Sequence, residues 1–307
     1  MENIVAIHSG PYSAKINLSR GANCISLRHA EYCAELLREP DYTAELDNPF
    51  LYGMPILFPV NRISDAAFTF EDRTYRFPVN EESTGCHLHG TLHSLPFELL
   101  TRSENFVHCV FSQPYLSFPH QFRIELLYQL SHGGLEQTTR VTNLSHQNMP
   151  ILLGFHTTFP VCFHKQARKE NIQILAEVGD EVQRNMATYL PTGKLAEPDD
   201  ITHAFQTGTF SPAENRISRH YRSADSGKMA LCDTQNGLRL IYENDMDFSW
   251  RLLYNGLSND YICMEPMTCM VNSPNSPFPF NDTGIPFIKP FEQKEYHSKI
   301  YLQEATL

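Results

Sequence analysis

The chain has 307 residues, 41% hydrophobic and 19% charged, and its 24 basic against 35 acidic side chains leave a formal charge of −11. That apolar content can bury a large core and argues against disorder, while the acidic balance, with no visible basic stripe, argues against nucleic acid and anionic membranes as partners. The opening "MENIVAIHSG" has neither a basic n-region nor a long apolar run, and no segment approaches the ~18 apolar residues of a membrane span, so a cytoplasmic protein is expected.

Along the chain, "HAEYCAELLRE" (29–39) is the best helical candidate, though it reads equally as strand plus loop. Period-2 alternation dominates the rest of the chain. "FTFEDRTYRF" predicts a hairpin turning near Glu71, Asp72 and Arg73, and "FELLTRSENFVHCVF" another turning at Ser103–Asn105. In "QFRIELLYQL" (121–130), Phe122, Ile124, Leu126, Tyr128 and Leu130 fall on one face, with Arg123, Glu125 and Gln129 on the other. "SHGG" then turns the chain into "LEQTTRVTNL" as the returning strand. "MALCDTQNGLRLIYE" repeats the pattern, with Asn236–Gly237 supplying positive φ. The proline-punctuated segment 274–290 reads as an ordered surface loop. With no repeat and no Gly/Ser linker, the expectation is an all-β chain, one large antiparallel β-sandwich domain over 1–307 with few short helices.

The eight cysteines are scattered without a C-x-x-C pair, so zinc-ribbon spacing is absent and reduced thiols packed in strands are expected. "STGCHLHGTLH" (83–93) places His87, His89 and His93 within seven positions, which suggests metal ligation. Against that, the next acid is Glu98, and Gly90 ends any strand that would align His87 with His89. His156 interrupts the apolar run "PILLGFHTTFPV"; it reads as a core histidine or as one whose pKa an apolar surround lowers. Glu265, in "NDYICMEPMTCMVNSP", sits in an apolar strand, where a carboxylate is costly unless paired or functional. Desolvation there would make it a stronger base. Asn61 and Arg62, in "FPVNRISDAAF", follow an apolar strand and offer an amide and a guanidinium fork to a polyol, although Arg62 reads equally as a surface ion-pair partner.

Taken in this order, "NRI" (61–63), "HLHG" (87–90), "GFHTTF" (154–159), "LPTGKL" (190–195) and "CMEP" (263–266) resemble motifs of the aldose 1-epimerase, or galactose mutarotase, family, in a divergent bacterial branch. The resemblance spans roughly 15–302 and implies the mutarotase-like supersandwich fold. It implies a free aldose such as glucose or galactose as substrate, with α and β anomers interconverted by acid–base ring opening. It places the base on Glu265, the acid on His156 and a hydrogen-bonding histidine on His89, with Arg62 and Asn61 holding the sugar. Neither a metal nor another cofactor is required, and a monomer or weak homodimer is expected. Two departures stand out. The glycine pair after the first histidine motif is Gly90–Thr91, and the family's sugar-binding aspartate has no counterpart in "SRHYRS" (218–223). Trp250, Phe248 or Phe159 could stack on the sugar's apolar face, although core packing is the stronger reading for each of them. The rival readings are a non-catalytic sugar-binding or sensing protein, a hexose-6-phosphate epimerase needing a basic pocket, and a glycosidase needing a second carboxylate.

Overall fold

In the computed structural model, residues 3–40, 48–115, 118–224, 226–279, 283 and 285–304 are described. The alternating segments pair as expected, because a strand with one apolar face gains burial only when that face is turned inward. Ala67–Phe70 pairs with Arg73–Arg76, Glu98–Arg102 with Phe106–Phe111, and Lys228–Asp233 with Leu238–Asn244. Phe122–Ser131 and Gly134–Asn143 run antiparallel over their full lengths. The five apolar alternates of the first of these are buried, and so, against expectation, is Glu125. Its carboxylate survives burial because His108, Arg123 and Arg140 lie 2.9, 3.2 and 3.7 Å away. Of the Asn236–Gly237 pair, Gly237 takes the left-handed conformation.

These hairpins build two large antiparallel sheets. One runs in the order Glu98–Arg102, Phe106–Phe111, Phe122–Ser131, Gly134–Asn143, Gln293–Glu304, Leu238–Asn244, Lys228–Asp233, Ile172–Ala176. The other runs Pro191–Leu195, Val178–Arg184, Ser218–Ser223, Trp250–Tyr254, Tyr261–Met267, Gly154–Phe155, Ile56–Leu57, with Thr157–Pro160 also paired to Tyr261–Met267. Phe159 from the second packs on Tyr242 of the first, and the Thr157 hydroxyl donates to the Tyr242 hydroxyl at 3.1 Å. A smaller sheet of Ile4–Ser9, Tyr12–Asn17, Asn23–His29 and Ala34–Glu35 joins the same core cluster. The result is the large antiparallel β-sandwich that the alternation predicts.

The segment 29–39 resolves as strand and loop: Asn23–His29 ends there, a turn follows, and Ala34–Glu35 returns. An α-helix among the described residues, Asp200–Thr207, escaped the periodicity because it is only eight residues long. Its ends are nonetheless marked. Asp199 accepts from the Thr202 amide, and Gly208 closes the helix at φ 70°. Within the proline-rich loop, Ser273–Asn275 forms a 3-10 turn and Phe287–Ile288 pairs with Met149–Pro150; residues 280–282 and 284 lie outside the described residues. All eight cysteines are free thiols, five of them buried. No helix among the described residues is long and apolar enough to cross a membrane.

Candidate active site

The first histidine is aimed by a turn rather than by a strand. Leu88 pairs with Arg62, but His89 and Gly90 both adopt φ 62°, which swings the chain off the two-residue strand. The His89 amide donates to the Asn61 carbonyl at 3.0 Å. A Cβ on Gly90 would stand 2.0 Å from the Phe58 carbonyl oxygen, so no side chain fits. Tyr115 locks the far side, donating to that same carbonyl at 2.9 Å and accepting from the Thr91 amide and hydroxyl at 2.8 and 3.0 Å. Thr91 itself has φ −126°, so the second glycine of the family pattern is dispensable here. Gly90→Ala combines a disfavoured left-handed φ with a backbone clash, and a loss of at least ~2 kcal/mol in stability is expected. Chemical denaturation checks this; an unchanged midpoint would refute the pinned turn.

His156 lies between the Gly154–Phe155 and Thr157–Pro160 strands, its amide held by the Pro55 carbonyl at 3.0 Å. Glu265 lies on the central Tyr261–Met267 strand, opposite Leu252. The two side chains meet, with Nε2 of His156 3.2 Å from Oε1 of Glu265. The Glu265 side chain is 2% exposed and that of His156 8%. Burial drives the Glu265 carboxyl up to about 8, against the pull of Arg184 and Arg62. Burial also drives the His156 imidazole down to about 4, against backbone hydrogen bonds that favour its charged form. Between those limits the pair therefore holds one proton between two bases and titrates as a unit. His89 is held well below its usual range, by burial first and then by His156 and Arg62, so it stays neutral. Its ring lies 5.4 Å from that of His156, nearly perpendicular.

All five residues singled out from the sequence, Asn61, Arg62, His89, His156 and Glu265, line one cleft of about 210 Å³. Arg62 is both a cleft residue and the ion-pair partner that the sequence equally allowed. Its guanidinium already grips Glu81 in a fork, at 2.7 and 2.6 Å. Burial would raise the Glu81 carboxyl, but Arg62 and Thr84 hold it below the usual carboxylate range. Asn61, at φ 57°, is turned so that its Oδ1 accepts from the Arg62 amide at 2.9 Å while its Nδ2 faces the Met267 sulfur at 3.6 Å.

Trp250, Phe248 and Phe159 take the core-packing role rather than that of a sugar platform. Trp250 stacks on His220 beneath Arg222, Phe248 packs on Tyr296 and Phe159 on Tyr242, all three buried. The aromatic rings on the cleft wall are Phe50, Tyr189 and Tyr254. Phe50 sits against three imidazoles, 4.7 Å from His89, 4.6 Å from His93 and 5.8 Å from His156. It rides on a 3-10 turn, Pro49–Leu51, capped by Asn48. His87 is separated from the cleft: its Nδ1 donates to the Pro78 carbonyl at 2.7 Å and its ring stacks on Phe77. Of "SRHYRS", Ser218 reaches the wall, while His220 accepts from the Val271 amide. Arg184 completes the wall and was not singled out from the sequence.

The metal-ligating geometry also differs from the sequence reading. The donors that gather are His156, Cys263 and Glu265, whose ligand atoms lie within 4.8 Å of one another. The Cys263 thiol is pushed well up by burial and sits 3.3 Å from the Thr158 hydroxyl. A cation there would have to displace the thiol proton and take over the Glu265–His156 pair.

The profile of the family described as "Aldose 1-epimerase" matches residues 3–285. A galactose mutarotase-like protein from Clostridium acetobutylicum, known from its crystal structure, superposes with a TM-score of 0.93 at 26% identity, covering 99% of this chain and 96% of that one. The GalM/aldose epimerase homologue from C. elegans shares the fold at a TM-score of 0.77 and 15% identity, over 100% of both chains. The "Uncharacterized protein YihR" of Escherichia coli (strain K12) is 23% identical over 278 residues, 89% of this chain and 86% of that protein.

Proposed function

Because the chain belongs to the aldose 1-epimerase family, we propose that it interconverts the α and β anomers of a free aldose by general acid–base ring opening. The observation that carries this reading is the direct contact of Glu265 with His156 at the buried floor of the cleft, beside neutral His89. Mutarotation needs one group to take a proton and another to give one, and a carboxyl–imidazole pair sharing a single proton does both. With sugar bound, the proton that Glu265 holds at rest passes to His156 across their 3.2 Å contact; the freed carboxylate then takes the O1 proton, and the O1–H electrons form the C1=O1 bond. The C1–O5 bond breaks onto O5, which takes a proton from His156. Rotation about C1–C2 and the reverse transfers close the ring on the other face and restore the pair. His89 donates its N–H to O1 or the ring oxygen as charge develops, and the Asn61–Arg62 corner orients a hydroxyl. No step needs a redox group or a metal.

Polarimetry on freshly dissolved α-glucose and α-galactose tests the proposal, and the pH dependence tests the pair. Below about 4, His156 gains a second proton for the pair and Glu265 cannot serve as base. Above about 8, the pair loses its proton and the acid is missing. The catalysed rate should therefore rise through the lower limit, stay flat near neutrality and fall through the upper one. Saturable sugar binding without faster anomer exchange would assign the cleft to sensing instead.

A further inference from the structure

The His89 imidazole lacks the usual means of holding a working histidine in place. A hydrogen bond at one ring nitrogen normally fixes the direction of the other. The Nδ1 of His89 is buried without a hydrogen-bond partner among the described residues, and none of their hydrogen bonds reaches its Nε2. Two buried histidines elsewhere show the alternative. His120 is held at both nitrogens, by Tyr75 at 2.7 Å and Ser145 at 2.9 Å, and His164 is held by Asp233 at 2.8 Å.

What His89 has instead is ring packing. The Phe50 ring lies 4.7 Å from it, and the same ring packs on His93 at 4.6 Å and on His156 at 5.8 Å. The turn that carries Phe50 is itself tied down. Its amide is accepted by Asn48 Oδ1 at 3.2 Å, the Thr158 hydroxyl donates to its carbonyl at 3.1 Å, and Arg38 Nη1 donates to the Leu51 carbonyl at 3.1 Å. Thr158 is two residues from His156, so the strand beside one imidazole also fixes the ring that packs on the other. His93 sits where Gly21 leaves room, since a Cβ on that glycine would stand 2.7 Å from the His93 Cα. All three imidazoles on Phe50 are neutral near pH 7. Burial comes first for each; His156, Arg62, His93 and His87 add to it at His89, and Arg20 adds to it at His93.

We propose that Phe50 is a positioning residue for the reaction: its ring, in place of a hydrogen bond, aims the His89 imidazole at the sugar and keeps water from the corner between His89 and His156, and His93 holds that ring in place. The inference rests on the mutarotase reading of the cleft and adds two residues to it. It also gives the third histidine of "STGCHLHGTLH" a task. His87 anchors to the Pro78 carbonyl, His89 faces the cleft, and His93 supports the ring that steadies His89.

Phe50→Ala should lower kcat for anomer exchange by ~10–10²-fold, the scale of a misplaced catalytic group, with KM changed far less. Phe50→Tyr keeps the ring and should keep most of the rate. Nitrogen NMR of the imidazoles, with His89 assigned by its loss in His89→Gln, supplies a readout that weakened folding alone would not move. In Phe50→Ala the His89 ring should take up its proton at a higher pH than in the wild type, because water reaches it. A raised KM with kcat kept would make Phe50 a stacking platform for the sugar and overturn the inference, as would an unchanged His89 titration. His93→Ala should shift kcat and the titration in the same sense by less; no shift in either would overturn the part given to His93. Should Phe50→Ala not fold, Phe50→Leu removes the ring while keeping bulk, and the same two shifts are expected of it. If the wild type turns over no sugar, the mutarotase reading fails, and the titration decides this point separately. A His89 that protonates at higher pH without the Phe50 ring supports the packing role, and one that does not overturns it.

Discussion

Glu265→Gln is expected to slow catalysed mutarotation by ~10²–10⁴-fold, the contribution of a positioned base, while the protein folds at least as well. The amide matches the carboxylate in shape, so packing around a side chain only 2% exposed is kept. What changes is the proton account. Below about 4.5 the carboxyl is protonated both folded and unfolded, and burying it costs nothing extra. Above that, the unfolded chain releases the proton while the folded protein keeps it until about 8, so the native carboxyl becomes a growing liability across that window. The glutamine variant escapes it, and its melting temperature relative to wild type should climb with pH through the same range. Near-wild-type rates would remove Glu265 from the mechanism. A large drop in melting temperature at neutral pH would show instead that its carboxylate serves the fold.

His156→Gln is the second expected large effect, a loss of ~10²–10⁴-fold, from removal of the acid at the ring oxygen. Because the two groups share one proton at 3.2 Å, they act as a unit. The double variant with Glu265→Gln should therefore be little slower than the worse single variant, not slower by the product. Additive losses would mean that the two side chains act independently. A His156→Gln enzyme that kept its rate would pass the acid role to His89, the remaining imidazole of the cleft.

The alternation along Phe122–Leu130 made its hairpin legible, since each buried side chain there declares its face through its neighbours two positions away. Asn61, Arg62, His89, His156 and Glu265 were legible through motif order, and the cleft does gather them. Arg184 was not, because in "DEVQRN" it is one charged residue among several on a strand next to the sheet edge; only the pairing of Val178–Arg184 with Ser218–Ser223 brings it inward. Phe50 was equally silent, since its neighbours His89, His93 and His156 are remote in the chain. Trp250 takes the core-packing role preferred for it, since stacking on His220 buries it. The three clustered histidines looked equivalent, and the left-handed turn at His89 and Gly90 separates them.

The strand Gln293–Glu304 lies in the middle of its sheet, paired on one side with Gly134–Asn143 and on the other with Leu238–Asn244. During synthesis those two partners emerge long before it does. Until it arrives, each presents an open row of unpaired amides and carbonyls, the kind of edge that recruits other chains. Between residues 244 and 293 the growing polypeptide thus carries two incomplete half-sheets, and a single insertion joins them. Loss of that strand would not trim the molecule at its margin; it would part the sheet at its centre.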